Sequence, residues 1–193
     1  MTMRGKSAGR TSGTPGVYVA LLRGINMGGK NKLPMKELCA LFVELGCKDV
    51  RHYIQSGNVV FKAAPALAKQ APDKIAHRIT ERFGLNVPVI LRSAGEMGEV
   101  AQGNPFLASG VAHDRVAVGF LAEAPDAARV ALLDPDRSPP DQFVIHGREI
   151  YLCCPNGFGE TKLNTNYFDS KLRTVSTFRN WKTVLTLLDM LAE

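Results

Sequence analysis

The apolar pattern of the chain begins at residues 18–22, a short run rich in strand formers, and then changes period several times. After a glycine-rich stretch, Pro34 opens a helix through Leu45, with Met35, Leu38, Leu41, Phe42 and Leu45 on one face and Gly46 at its end. Residues 50–54 and 58–62 read as two strands around the tight turn Gln55-Ser56-Gly57. A second amphipathic helix is expected over 73–83, carrying Ile75, Ile79 and Phe83 and stopping at Gly84, and residues 87–92 read as a strand. The order β-α-β-β-α-β is the split βαβ, or ferredoxin-like, plan.

Much of this order returns. Residues 93–100 predict a linking helix, ended by Gly103 and the turn-forming Asn104-Pro105. A strand over 115–122, a short helix over 125–133, a hairpin of 142–146 and 149–153 across Gly147-Arg148, and a helix over 162–172 follow. VIHGREIYL echoes YIQSGNVVF in pattern. A last helix is expected from about Thr177 to Leu191, burying Trp181, Val184, Leu185, Leu188 and Leu191. The expected fold class is α+β: two ferredoxin-like halves with antiparallel sheets, plus a C-terminal helix. The expected organisation is a disordered tail over 1–16, one half over 17–92, a linker helix and loop over 93–114, and a second half with the C-terminal helix over 115–193.

With 193 residues and 45% hydrophobic composition, the chain can bury one substantial core or two small ones sharing an interface. No apolar run approaches the ~20 residues of a membrane helix, and the charged N-terminus has no apolar stretch behind it to make a secretory signal. Of the four cysteines, Cys39 and Cys47 sit in and just beyond a helical repeat, and Cys153-Cys154 are neighbours on an apolar strand. Neighbours on a strand face opposite ways, so they do not suit a disulfide. With no CxxC, no metal site and no cofactor are expected. A reduced, cytoplasmic protein is the expectation.

The net charge of +6 gains meaning once it is located. The tail holds Arg4, Lys6 and Arg10 without an acid, and residues 23–36 hold Arg23, Lys30, Lys32 and Lys36 without an acid. The long stretch 37–158 is net acidic, whereas 159–182 is basic again through Lys162, Lys171, Arg173, Arg179 and Lys182. Segregated charge of this kind suits an anionic partner, and solvated lysines on exposed loops are the plainer alternative.

Three segments are familiar in combination. YVALLRGINMGGKNKLPM near the start, YIQSGNVVF in the middle and FRNWKTVLTLL at the end resemble the uncharacterised bacterial family called domain of unknown function 1697. The resemblance extends from about Val17 to Leu191, with Met27 where Val is usual and Phe178 where Thr or Met is usual. It implies an α+β fold and a bacterial cytosolic protein. It implies no activity.

GINMGGKN, from Gly24 to Asn31, matches the phosphate-loop pattern G-x-x-x-x-G-K-[ST] except that Asn31 replaces the hydroxyl residue. A phosphate loop starts its helix at the Gly-Lys, so that the first amides face the phosphate. Here the helix is expected only at Pro34, Asn31 is a poorer Mg²⁺ ligand, and no strand ending in Asp offers a metal-holding partner. Nucleotide hydrolysis is therefore not expected. Glycines 24, 28 and 29 need only a connection at positive φ, but Lys30, Lys32 and Lys36 surround a helix start, where the macrodipole disfavours cations. Arg179 raises the same misfit in the first turn expected after a Ser176 or Thr177 cap, with Asn180 and Lys182 beside it.

The candidate ligand-binding residues are therefore Arg23, Gly24, Asn26, Gly28, Gly29, Lys30, Asn31, Lys32, Arg179 and Asn180, with Ser56 and Asn58 from the hairpin. No catalytic residue stands out: Gln55-Ser56-Gly57-Asn58 lacks the frame of a nucleophile turn. Two function classes fit. One is a module binding an anion, either nucleic acid or a phosphorylated metabolite, although the aromatic pattern of RNA-binding sheets is absent. The other is an enzyme acting on a phosphorylated small molecule. Oligomeric state is open.

Overall fold

The computed structural model describes residues 13–193, so most of the expected tail lies outside the described residues. Gly16, placed in that tail by the sequence, begins β1 (Gly16–Leu22). The first half continues with α1 (Met35–Glu44), β2 (Lys48–Tyr53), β3 (Asn58–Ala63), α2 (Pro65–Phe83) and β4 (Val89–Ser93). Two helices, α3 (Ala94–Gln102) and α4 (Pro105–Ala108), and a 3-10 turn lead to β5 (Val116–Leu121), α5 (Ala127–Val130), β6 (Gln142–His146), β7 (Glu149–Cys153), α6 (Thr165–Leu172), β8 (Ser176–Asn180) and α7 (Trp181–Ala192). The sheets run β2-β3-β1-β4 and β6-β7-β5-β8, with every neighbour antiparallel. This is the ferredoxin-like order, twice.

Alternation along β1 explains the layers. Ala20 and Leu22 face a core closed by α1 and α2, whereas Val19 and Leu21 face a second core shared with Val118, Phe120, Tyr151 and Trp181 of the other half. A third core, around Phe168, Leu152 and Leu163, lies on the far side of the second sheet. Helices α3 and α7 pack on each other and on β1 within the shared core. The second half is therefore buried against the first through apolar side chains of both sheets.

Three local expectations change. Helix α2 starts at Pro65, not Asp73: Ala68 and Ala71 continue its buried face, and the helix runs through Pro72. Asn104-Pro105 is a helix start, not a turn, since Asn104 Oδ1 accepts from the Phe106 and Leu107 amides. The expected C-terminal helix is two elements. Ser176–Asn180 extends along β5 as β8, and α7 begins at Trp181 with Asn180 as its cap, accepting from the Thr183 amide at 2.8 Å. Ser176 and Thr177 are not caps, and Arg179 is not in a helix. The register of α7 shifts accordingly: Leu187 is buried and Leu185 is 36% exposed.

Register establishes which residues of the halves correspond. Val19 pairs with Val60 and Arg92, and Val118 pairs with Tyr151 and Arg179. On that scale Leu22 corresponds to Leu121, Asn58 to Glu149 and Gly57 to Arg148. The backbone repeats the match: the Leu22 amide donates to the Gly57 carbonyl at 2.8 Å, and the Leu121 amide to the Arg148 carbonyl at 2.9 Å.

Candidate functional site

The loop between β1 and α1 is a small hairpin. The Asn26 amide donates to the Asn31 carbonyl at 3.1 Å, and Lys30 to Met27 at 2.9 Å. Gly28 and Gly29 at the tip lie at φ 56° and 79°, the double positive φ of a type I′ turn, which is why glycines stand there. Asn26, itself at φ 54°, anchors the hairpin: its side chain donates to the Leu33 and Gln55 carbonyls, both at 2.9 Å, and accepts from the Leu33 amide at 2.8 Å. Asn31 donates to the Gly24 carbonyl at 2.9 Å. Both asparagines are therefore occupied in building the loop.

This geometry separates the loop from a phosphate loop. Lys30 lies well before α1, which begins at Met35, and β1 is flanked on both sides by antiparallel strands. The loop is also open: a Cβ added to Gly24, Gly28 or Gly29 would meet no atom within 4 Å. Lys30 and Lys32 are exposed, as is Lys36 in the first turn of α1, and no carboxylate among the described residues pairs with any of the three. Pro34, at the cap position of α1, offers no side-chain hydrogen bond to its first amides.

The remaining candidates belong to the scaffold. Arg23 forms an ion pair with Asp169 of α6, which also accepts from the Ser176 amide and hydroxyl. Arg179 is 7% exposed and sends two of its three nitrogens into the first half: Nε donates to Asn58 Oδ1, and Nη2 to the Leu22 and Ser56 carbonyls at 2.8 and 3.2 Å. Nη1 donates to Thr177 Oγ1 and the Phe178 carbonyl, both at 2.8 Å. Burial pulls its pKa down to about 10, which leaves it a cation at neutral pH. Asn58 is fully buried, and its side-chain Nδ2 donates to the Tyr53 carbonyl and the Ser56 hydroxyl. Arg179 is thus no exposed anion ligand. It does converge with the hairpin on one place, because the 55–57 turn accepts from Asn26 on one side and from Arg179 on the other.

Arg92 is a second buried arginine, which the sequence does not single out. It is fully buried in β4 and reaches the other way, donating from Nε to Glu149 at 3.0 Å and from Nη2 to the Leu121 and Arg148 carbonyls at 2.9 Å each. The available signal was one arginine at the end of the apolar stretch VILRS.

Thiol chemistry finds no support. Cys39 Sγ lies 3.7 Å from His52 Nδ1, but burial raises the thiol, and it raises Cys47 to about 11 and Cys154 to about 12. Among the described residues no cluster of His, Cys, Asp and Glu is placed to hold a metal ion, and no helix is long and apolar enough to cross a membrane.

Comparisons with known proteins agree with the fold. No curated protein matches the chain. The solved structure of the conserved bacterial protein SP0830 from Streptococcus pneumoniae is similar at 25% identity, covering 92% of this chain and 99% of that one with a TM-score of 0.68. A family model described as protein of unknown function (DUF1697) matches residues 16–151. The chain belongs to that family.

Proposed function

We propose that the protein binds nucleic acid through the phosphate backbone, at the hairpin that carries Lys30 and Lys32. The observation that carries this reading is a pair of unpaired lysines on a loop whose backbone is independently held by Asn26 and Asn31. Lysines on such a hairpin meet a phosphate with little loss of backbone freedom, and the uncapped start of α1 with Lys36 adds donors beside them. The openness of the loop favours an extended polyanion over one enclosed metabolite. Both sheets are covered on both faces by apolar cores, so the sheet-face mode of RNA binding is closed.

Fluorescence anisotropy with labelled single-stranded and duplex oligonucleotides, at several salt concentrations, tests the proposal. Affinity is expected to fall steeply with salt, and the Lys30→Ala/Lys32→Ala variant to reduce the logarithmic salt slope by about 2. Tight binding of a phosphorylated metabolite with little salt dependence would favour a small-ligand site instead. Oligonucleotide binding indifferent to the double substitution would remove the hairpin from consideration.

A further inference from the structure

The corresponding edge strands β2 and β6 are guarded differently. β2 carries Lys48, Asp49 and Arg51, breaks register between Lys48 and Arg51, and holds Asp49 at φ 49°. Arg51 is further tied to Glu193 and to the Met190 carbonyl. Charges and bulges of this kind keep an edge from pairing with another chain. β6 has none of them. QFVIH contains no Lys, Arg, Asp, Glu or Pro, pairs with β7 at all five positions without a break, and leaves Val144 41% exposed.

The two-residue turn Gly147-Arg148 determines which backbone groups face outward. His146 and Glu149 close such a turn as a hydrogen-bonded pair, so Val144 and Gln142 also bond to β7. The N–H and C=O groups of Phe143 and Ile145 then lie on the open edge, and no backbone hydrogen bond from another element of the described residues reaches them.

We propose that β6 is the interface with a second copy of this chain, paired antiparallel about a two-fold axis through Val144. On that axis Phe143 stands opposite Ile145 of the second copy, and the reverse, so the outward groups close four hydrogen bonds. Val144 meets its own copy at a non-hydrogen-bonded position, where side chains approach most closely. Gln142 faces His146, an aromatic ring faces a β-branched side chain, and no like charges oppose. The strand is self-complementary in hydrogen bonding and in side chains, which is the requirement of an isologous interface. The two sheets involved become one of eight strands.

Sedimentation equilibrium of the full chain across about 5–500 µM, the range suited to a small interface, tests this. A concentration-dependent dimer is expected, and Val144→Lys, which sets two ammonium groups against each other on the axis, should weaken it at least tenfold while the circular dichroism spectrum is kept. Hydrogen exchange gives a readout free of any variant: the Phe143 and Ile145 amides should slow as concentration rises. A monomer throughout, a dimer undiminished by Val144→Lys, or exchange at these amides independent of concentration would each overturn the proposal.

Discussion

Arg92 and Arg179 hold corresponding places on β4 and β8, and each donates into the opposite half of the chain. The carbonyls they reach also correspond: Leu121 and Arg148 for one, Leu22 and Gly57 for the other. Their Nε partners differ in charge, Glu149 against Asn58. Arg92 is therefore paired with a carboxylate, whereas Arg179 is buried among neutral acceptors alone.

Truncating Arg179 should be costly for that reason. Arg179→Met leaves the buried Asn58 amide oxygen and the half-buried Ser56 carbonyl without their arginine donor, a loss of about 3 kcal/mol. Urea unfolding should show a lower midpoint with an unchanged slope. A loss below about 1 kcal/mol would mean that water replaces the guanidinium.

The backbone of the 55–57 turn is packed against β1 and the loop that follows it. A Cβ on Gly57 would lie 2.7 Å from Leu22 Cβ and 3.0 Å from Ile25 Cδ1, at φ 80°. Gly57→Ala combines a left-handed penalty of about 1–2 kcal/mol with overpacking of about 1–3 kcal/mol. Thermal melts should place this variant among the least stable single changes in the chain.

One residue beside that turn should respond in the opposite direction. Ile54 sits at φ 48° and is 48% exposed, a position where a β-branched side chain is strained and buries little. Ile54→Asn should stabilise by roughly 1 kcal/mol, since asparagine tolerates the left-handed region. Destabilisation would show that the Ile54 side chain contributes more packing than its exposure implies.

Glu96 gives a pH signature. Desolvation raises its carboxyl, but hydrogen bonds from Ser93 and the charges of Arg148 and Arg92 outweigh this and hold it below its ordinary 4.5. A carboxyl lowered in the folded state adds stability above its unfolded pKa and loses it as pH falls through the folded one. Stability of the wild type should therefore decline below about pH 4.5, and Glu96→Gln should flatten that part of the curve. Parallel curves for the two proteins would contradict the assignment.

The legible parts of the fold are those with local signals. The hairpin of β6 and β7 has the bounds that period-2 alternation around Gly147-Arg148 predicts, and the glycine tip of the basic loop takes the positive φ its composition suggests. β8 was hidden because it runs into α7 without a loop and buries an arginine, contrary to the usual preference of that residue. The burial of Arg179 and Asn58 is hidden from the sequence for a related reason. A guanidinium that satisfies an amide 121 residues away leaves no trace in either neighbourhood of the sequence. Lys30 and Lys32, which depend only on their own loop, stand exposed where composition places them.

The crossed arginines make each half both plug and socket for the other. Arg92 leaves the first half with its partners waiting in the second, and Arg179 does the reverse. A chain severed between α4 and β5 would yield two fragments, each carrying an exposed apolar sheet face, an arginine parted from its acceptors in the other half, and acceptors parted from their arginine. Neither has a self-sufficient interior, and the complement of each is the other fragment. Reassociation on mixing, with the spectrum of the intact chain restored, is the behaviour such reciprocity entails.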